Sequence, residues 1–268
     1  MDIATLIGLL VAAIGILGGY TIEGGSIMSL VNLPGFMIVI VGTLGATMTS
    51  YPLSAFLGMP MSFIKAIKGA SSGQSTAMAT QLVEMADKAR REGLLALEED
   101  AHNIVNPFAR KGLMLMIDGT DPEALKAIME IEMDAASARE NETSEIFKTA
   151  SGFAPTLGVL GAVMGLISVL GNLGGDVAVL GHGIAVAFVA TFYGVGYANV
   201  VLIPVATKLK GISAEQQNVR DMVLEGILSI QAGDNPRIVK EKLQGFLKPS
   251  ARMADEEDEG GESERRAA

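Results

Sequence analysis

Ala150-Ser151-Gly152-Phe153-Ala154-Pro155-Thr156-Leu157-Gly158-Val159-Leu160-Gly161-Ala162-Val163-Met164-Gly165-Leu166-Ile167-Ser168-Val169-Leu170-Gly171 contains no Asp, Glu, Lys, Arg or His. A hydrocarbon core of ~30 Å needs ~20 such residues in a helix, and lipid admits only backbone whose polar groups are satisfied internally. Working outward, no Lys or Arg occurs from Thr149 to Thr207, and none from Met1 to Ile64. Ten basic residues fall between Lys65 and Lys148 and the other ten from Lys208 to Arg266, which accounts for all 20. Each basic-free stretch is long enough to cross a bilayer twice. The fold class is therefore all-α, an integral membrane protein with four transmembrane helices and a cytoplasmic helical domain.

The spans are expected at 3–20, 34–53, 150–171 and 183–206. Their connections, Thr21 to Asn32 and Asn172 to His182, are Gly-rich and carry only Glu23 and Asp176 as acids. Basic residues stay on the cytoplasmic side of a bilayer, so both hairpin tips face outward and both termini inward. The domains read as a first hairpin (1–53), a cytoplasmic helical domain (54–149), a second hairpin (150–208), C-terminal helices (209–252) and an acidic disordered tail (253–268). Met1-Asp2-Ile3 has no positive charge, so the first span reads as retained rather than as a cleaved signal. With no Cys and only His102 and His182, neither a thiolate site nor a His-based metal site is expected. No nucleotide-binding glycine loop or nucleophile–base constellation is present, so no catalytic residue, cofactor or nucleic-acid partner is expected.

Between the hairpins, Leu82, Val83, Met85, Ala86 and Ala89 alternate at helical spacing with Glu84, Lys88, Arg90 and Arg91. Gly93 breaks that helix, and a second begins before Glu98. Asp121-Pro122-Glu123 is a helix start: an N-cap carboxylate, a proline where the missing N–H is harmless, and an acid at the positive dipole end. No breaker follows until Gly152, so this helix runs toward the third span as a stiff link. Ala214 to Gln231 is again amphipathic, and Gly233-Asp234-Asn235-Pro236 turns into a last helix toward Leu247.

An ionisable group at mid-membrane is costly and is therefore a functional marker. No Asp, Glu, Lys, Arg or His stands near the centre of any span. The second hairpin instead carries neutral polar groups at Thr156, Ser168, Thr191, Tyr193, Tyr197 and Asn199, and small residues at Gly158, Gly161, Ala162, Gly165, Ala185, Ala187, Ala190, Gly194 and Gly196. Small residues let helices approach closely in lipid. Pro155 and Pro204 each free a carbonyl, and an antiparallel hairpin is expected to set both at about the same depth.

Four ordered pieces carry a resemblance: Ala89-Arg90-Arg91-Glu92-Gly93-Leu94-Leu95-Ala96-Leu97-Glu98, Asp121-Pro122-Glu123, Ala154-Pro155-Thr156-Leu157-Gly158, and Ala190-Thr191-Phe192-Tyr193-Gly194 followed by Pro204. In this order across four spans, the chain resembles the MotA family of flagellar motor stator subunits. The resemblance implies five copies around two copies of a MotB-like single-span partner, whose membrane Asp supplies the carboxylate missing here, in the bacterial inner membrane. It implies an ion pathway through Thr191, Ala162, Pro155, Pro204, Thr156 and Tyr193, and a contact of Arg90 and Glu98 with the rotor protein FliG. Sodium-type relatives carry Thr where Ala162 stands, so the expected ion is the proton rather than sodium. Alternatives are a motor subunit similar to ExbB or TolQ, a gliding or defence-system stator, and a scaffold that conducts nothing.

Overall fold

A computed structural model describes residues 3–69, 73–171 and 177–249. All regular structure among them is helical: α1 Ile3–Ile22, α2 Leu33–Phe36, α3 Gly42–Ser50, α4 Leu53–Leu57, α5 Met59–Lys68, α6 Gln74–Glu92, α7 Glu98–Asn103, α8 Pro107–Ile117, α9 Pro122–Gly171, α10 Val177–Gly196, α11 Ile203–Gln231 and α12 Pro236–Gln244. Four helical stretches are long and apolar enough to cross a membrane: Ile3–Ile22, Leu33–Ser50, Pro122–Gly171 and Val177–Gln231. The first, at 1.5 Å per residue, is about 30 Å long, a bilayer's hydrocarbon thickness.

Two stretches are wider than α-helix. Met37–Val41 joins α2 to α3, and Tyr197–Leu202 joins α10 to α11, both as π-helical turns. In the second, Pro204 cannot donate to the Val200 carbonyl, and the Ile203 N–H one residue earlier reaches back to the Ala198 carbonyl, a five-residue step. A proline therefore widens this helix instead of ending it. Pro155 and Gly152 also lie inside an unbroken helix, α9, so neither acts as a stop. The N-cap of α9 is as expected, with the Asp121 carboxylate accepting from the Glu123 and Ala124 N–H groups at 3.1 and 3.4 Å.

The chain forms two compact units, residues 1–69 with 139–212, and residues 70–138 with 213–268. In the first, the Leu33–Ser50 stretch packs on the second hairpin. A Cβ at Gly35 would lie 3.5 Å from the Ala190 Cα, one at Gly42 3.4 Å from Leu157, and one at Gly161 3.4 Å from Ile38. Val39, Thr43 and Thr47 form the buried stripe of that stretch, and the Thr47 hydroxyl donates to the Thr43 carbonyl at 2.7 Å. At one end the Tyr51 and Thr149 hydroxyls share a 2.8 Å hydrogen bond. By contrast α1 buries no residue.

The second unit has a dry core of Leu82, Leu97, Leu113, Met116, Leu125, Met129, Met222, Ile227 and Leu243. Gly112 permits its closest packing, since a Cβ there would lie 2.6 Å from Ile227 Cδ1 and 2.8 Å from Met129 Cε. Lys242 ties α12 down by bonds of 3.0 Å each to Glu225, Asp234 and Ser229. These carboxylates hold its ammonium above the ordinary lysine range.

Three expectations are revised. Ala214 to Gln231 is no separate helix but the continuation of α11 from Ile203. The second half of the second hairpin begins at Val177, which puts His182 in the second turn of α10 and not in a loop. The prolines differ in depth, as described next. The tail at 253–268 and the linker acid Asp176 lie outside the described residues.

Candidate ion pathway and rotor-facing corner

The long third and fourth stretches meet along a seam of small residues. A Cβ at Gly158 would lie 3.0 Å from the Ala190 carbonyl oxygen and 3.2 Å from the Gly194 Cα. At Gly161 it would lie 2.7 Å from the Ala190 Cβ, and at Gly165 3.1 Å from the Ala187 backbone nitrogen. At Gly194 it would lie 2.6 Å from the Ala154 carbonyl oxygen and 3.2 Å from the Pro155 Cα. The glycines thus fasten the two halves of one hairpin to each other. That is the close approach the small residues allow.

The same seam fixes depth. Pro155 is level with Gly194 to Gly196, while Pro204 lies some eight residues beyond, a displacement of roughly 12 Å along the axis. Pro204 is close to the level at which the Ser144 hydroxyl donates to the Ala206 carbonyl at 2.9 Å. The antiparallel pairing of the two span ends had suggested equal depth; packing register overrules it.

Of the residues expected on the pathway, the seam brings together Pro155 and Thr191, whose Cα atoms flank Gly194 and Gly158. The Thr191 hydroxyl donates weakly to the Ala187 carbonyl, at 3.4 Å. Thr156 is exposed, its hydroxyl donating to the Phe153 carbonyl at 2.8 Å. Ala162 is half-buried beside the seam and Pro204 is exposed. Tyr193 is turned elsewhere: its hydroxyl donates to the Leu30 carbonyl and accepts from the Asn32 N–H at 3.2 Å, with its ring 3.5 Å from a Cβ at Gly35. It anchors the return of the first hairpin. Away from the seam each helix has its own exposed stripe, Gly152, Thr156, Leu160 and Val163 on α9, and Phe188, Phe192, Val195 and Asn199 on α10 and its π-turn. Asn199 donates to the Val195 carbonyl at 2.9 Å, which leaves its amide oxygen facing outward. Phe188, 73% exposed, gave no signal in a uniformly apolar run.

In the second unit, Gly93 has φ +86°, a conformation that favours glycine, and turns the chain from α6 into a 3₁₀ turn at Leu94–Leu97. Across this corner Lys88 bonds Asp100 at 2.7 Å, and that bond, with the carboxylate's charge, holds the Lys88 ammonium above the ordinary range. Arg91 pairs with Asp87. Arg90 and Glu98 are both exposed, and no side-chain bond engages either among the described residues. No group of three metal-ligating side chains occurs among the described residues.

A four-crossing helical protein with no acid near the centre of any crossing and a glycine-sealed hairpin is a membrane subunit built to work beside other helices. The match is specific: residues 6–93 fit the model of the motility protein A N-terminal region, and residues 100–222 that of the MotA/TolQ/ExbB proton channel family. Motility protein A of Borreliella burgdorferi is 38% identical, over 86% of this chain and 88% of its own. The structure of C. jejuni MotAB superposes with a TM-score of 0.88 at 31% identity, covering 93% of this chain and 97% of that one. The flagellar MotAB stator complex from Bacillus subtilis does so at 0.86 and 34%, with the same coverage of both chains. The chain belongs to the motility protein A family of flagellar stator subunits.

Proposed function

We propose that this chain is the channel-forming subunit of a proton-driven flagellar stator in the bacterial inner membrane, with both termini cytoplasmic, the second unit facing the rotor, and no enzymatic activity of its own. One observation carries the reading: the second hairpin exposes polar positions at Thr156 and Asn199 but has no Asp, Glu, Lys, Arg or His near the centre of its spans. Such a hairpin needs a carboxylate from another helix. The solved relatives are MotAB complexes, which supports a MotB-like single-span partner bearing that Asp. Five copies around two partner chains are proposed.

The partner's Asp takes a proton from outside and releases it inward, each charge crossing yielding about 2.3 kcal/mol per 100 mV. Pro155 and Thr191, beside the seam, lie on the path, and Pro204 marks its inward end. Tyr193 serves the path by fixing the first hairpin. Ala162 lacks the hydroxyl that a sodium ion exchanging its water shell for protein oxygens would use, so the proton is the coupling ion. Arg90 and Glu98, unpaired at the corner, meet FliG. Replacing Arg90 by Glu is expected to impair swimming without loss of the membrane complex, and a reversed charge on the rotor is expected to restore part of it. Normal swimming of the single variant would remove this role.

A further inference from the structure

The charges at the corner have an explanation within the fold. Arg90 and Arg91 sit at the C-terminal end of α6, and Glu98, Glu99 and Asp100 at the N-terminal end of α7, where helix dipoles favour them. Leu95, between the two sets, has none. In a 3₁₀ turn residues three apart lie on the same side. Leu97 is fully buried and Leu94 packs on the core, so both point inward. Leu95 is thereby forced outward, and it is 74% exposed. The turn is held rigid by the Gly93 N–H on the Ala89 carbonyl at 2.8 Å, the Ala96 N–H on the Gly93 carbonyl at 3.2 Å, and the Lys88–Asp100 bond at 2.7 Å. A large apolar side chain is therefore presented outward on a braced turn that lies, along the chain, between an unpaired cation, Arg90, and an unpaired anion, Glu98.

We propose that Leu95 is the apolar anchor of the rotor contact. It fits a partner surface that offers an apolar pocket with a carboxylate on the Arg90 side and a cation on the Glu98 side. The inference rests on the rotor-facing role of this corner and adds a division of labour to it. Exposed ion pairs are screened and weak, and mainly steer the encounter. A preorganised apolar side chain buried at the centre of a charged rim resists dissociation. Arg90 and Glu98 would thus orient the partner, and Leu95 would retain it.

The test uses the intact stator complex in nanodiscs and purified FliG, with affinity measured over a range of salt from about 50 to 300 mM. Leu95→Gln is expected to weaken binding about tenfold or more at every salt concentration, with the salt slope unchanged. Arg90→Ala is expected to flatten that slope. Leu95→Met keeps the apolar volume and is expected to bind within about threefold of the parent. Binding by L95Q within about twofold of the parent, while R90A flattens the slope, overturns the anchor alone. L95M binding as poorly as L95Q also overturns it, because the loss would then follow the shape of the turn. If neither L95Q nor R90A changes binding, the rotor-facing reading falls, and the anchor with it.

Discussion

Gly194→Ala is the most incisive change to the hairpin seam. The added Cβ would stand 2.6 Å from the Ala154 carbonyl oxygen and 3.2 Å from the Pro155 Cα. Both are backbone atoms of the facing helix, so no side chain can rotate away, and the helices must separate by most of an ångström. Overpacking of this kind costs about 1–3 kcal/mol, against about 1 kcal/mol gained from replacing a helical glycine. Because the clash is with backbone, the steric cost falls toward the upper end of that range and wins, for a net loss of up to about 2 kcal/mol. Gly152→Ala is the matched control, since it lies in α9 with nothing within 4 Å of its Cβ position, and it should gain up to about 1 kcal/mol. Each variant would be assembled with its partner, its thermal stability measured in nanodiscs, and proton flux followed in vesicles. The expected order of stability is G152A, parent, G194A, with flux and swimming lost in G194A alone. Equal behaviour of the two variants would refute the seam.

Three further outcomes follow from the same geometry. Tyr193→Phe strips partners from the Leu30 carbonyl and the Asn32 N–H, which should cost about 1–3 kcal/mol and lower the melting temperature. Pro155→Leu should abolish torque in a tethered-cell assay while the complex still purifies intact, because the residue lies inside a continuous helix that does not need it to fold. Lys88 titrates above its ordinary value of 10.5, so its bond to Asp100 contributes in full below pH 10.5 and is lost as pH rises through the higher folded value. Lys88→Met should accordingly remove that alkaline step from a stability-versus-pH profile, and an unchanged profile would show that the bond contributes nothing.

The large plan was legible because membrane insertion imposes crude, long-range rules. Two basic-free stretches gave four crossings, Asp121-Pro122-Glu123 gave the start of α9, and Gly93 gave the corner. What escaped is what local sequence does not encode. Gly152 and Pro155 are breakers in water, but both lie inside the continuous α9. Pro204 shows itself as a π-turn because the helix widens one residue earlier. The depth difference between the prolines depends on which glycine meets which backbone, a register that no loop length reveals. Thr43 and Thr47 could not be told from lipid-facing positions in a run without polar periodicity, and the anchoring role of Tyr193 needs a partner more than 160 positions away in sequence. Thr156 and Asn199 were visible as polar letters, while their exposure on the hairpin was not.

Proton flux into liposomes under an imposed voltage tests the central claim most directly. The chain reconstituted by itself should pass no protons; with its single-span partner it should conduct, and it should stop when the partner's membrane Asp becomes Asn. Sustained flux through this chain alone would contradict the account, because it would place the proton-carrying group among residues that include no acid near the centre of any crossing.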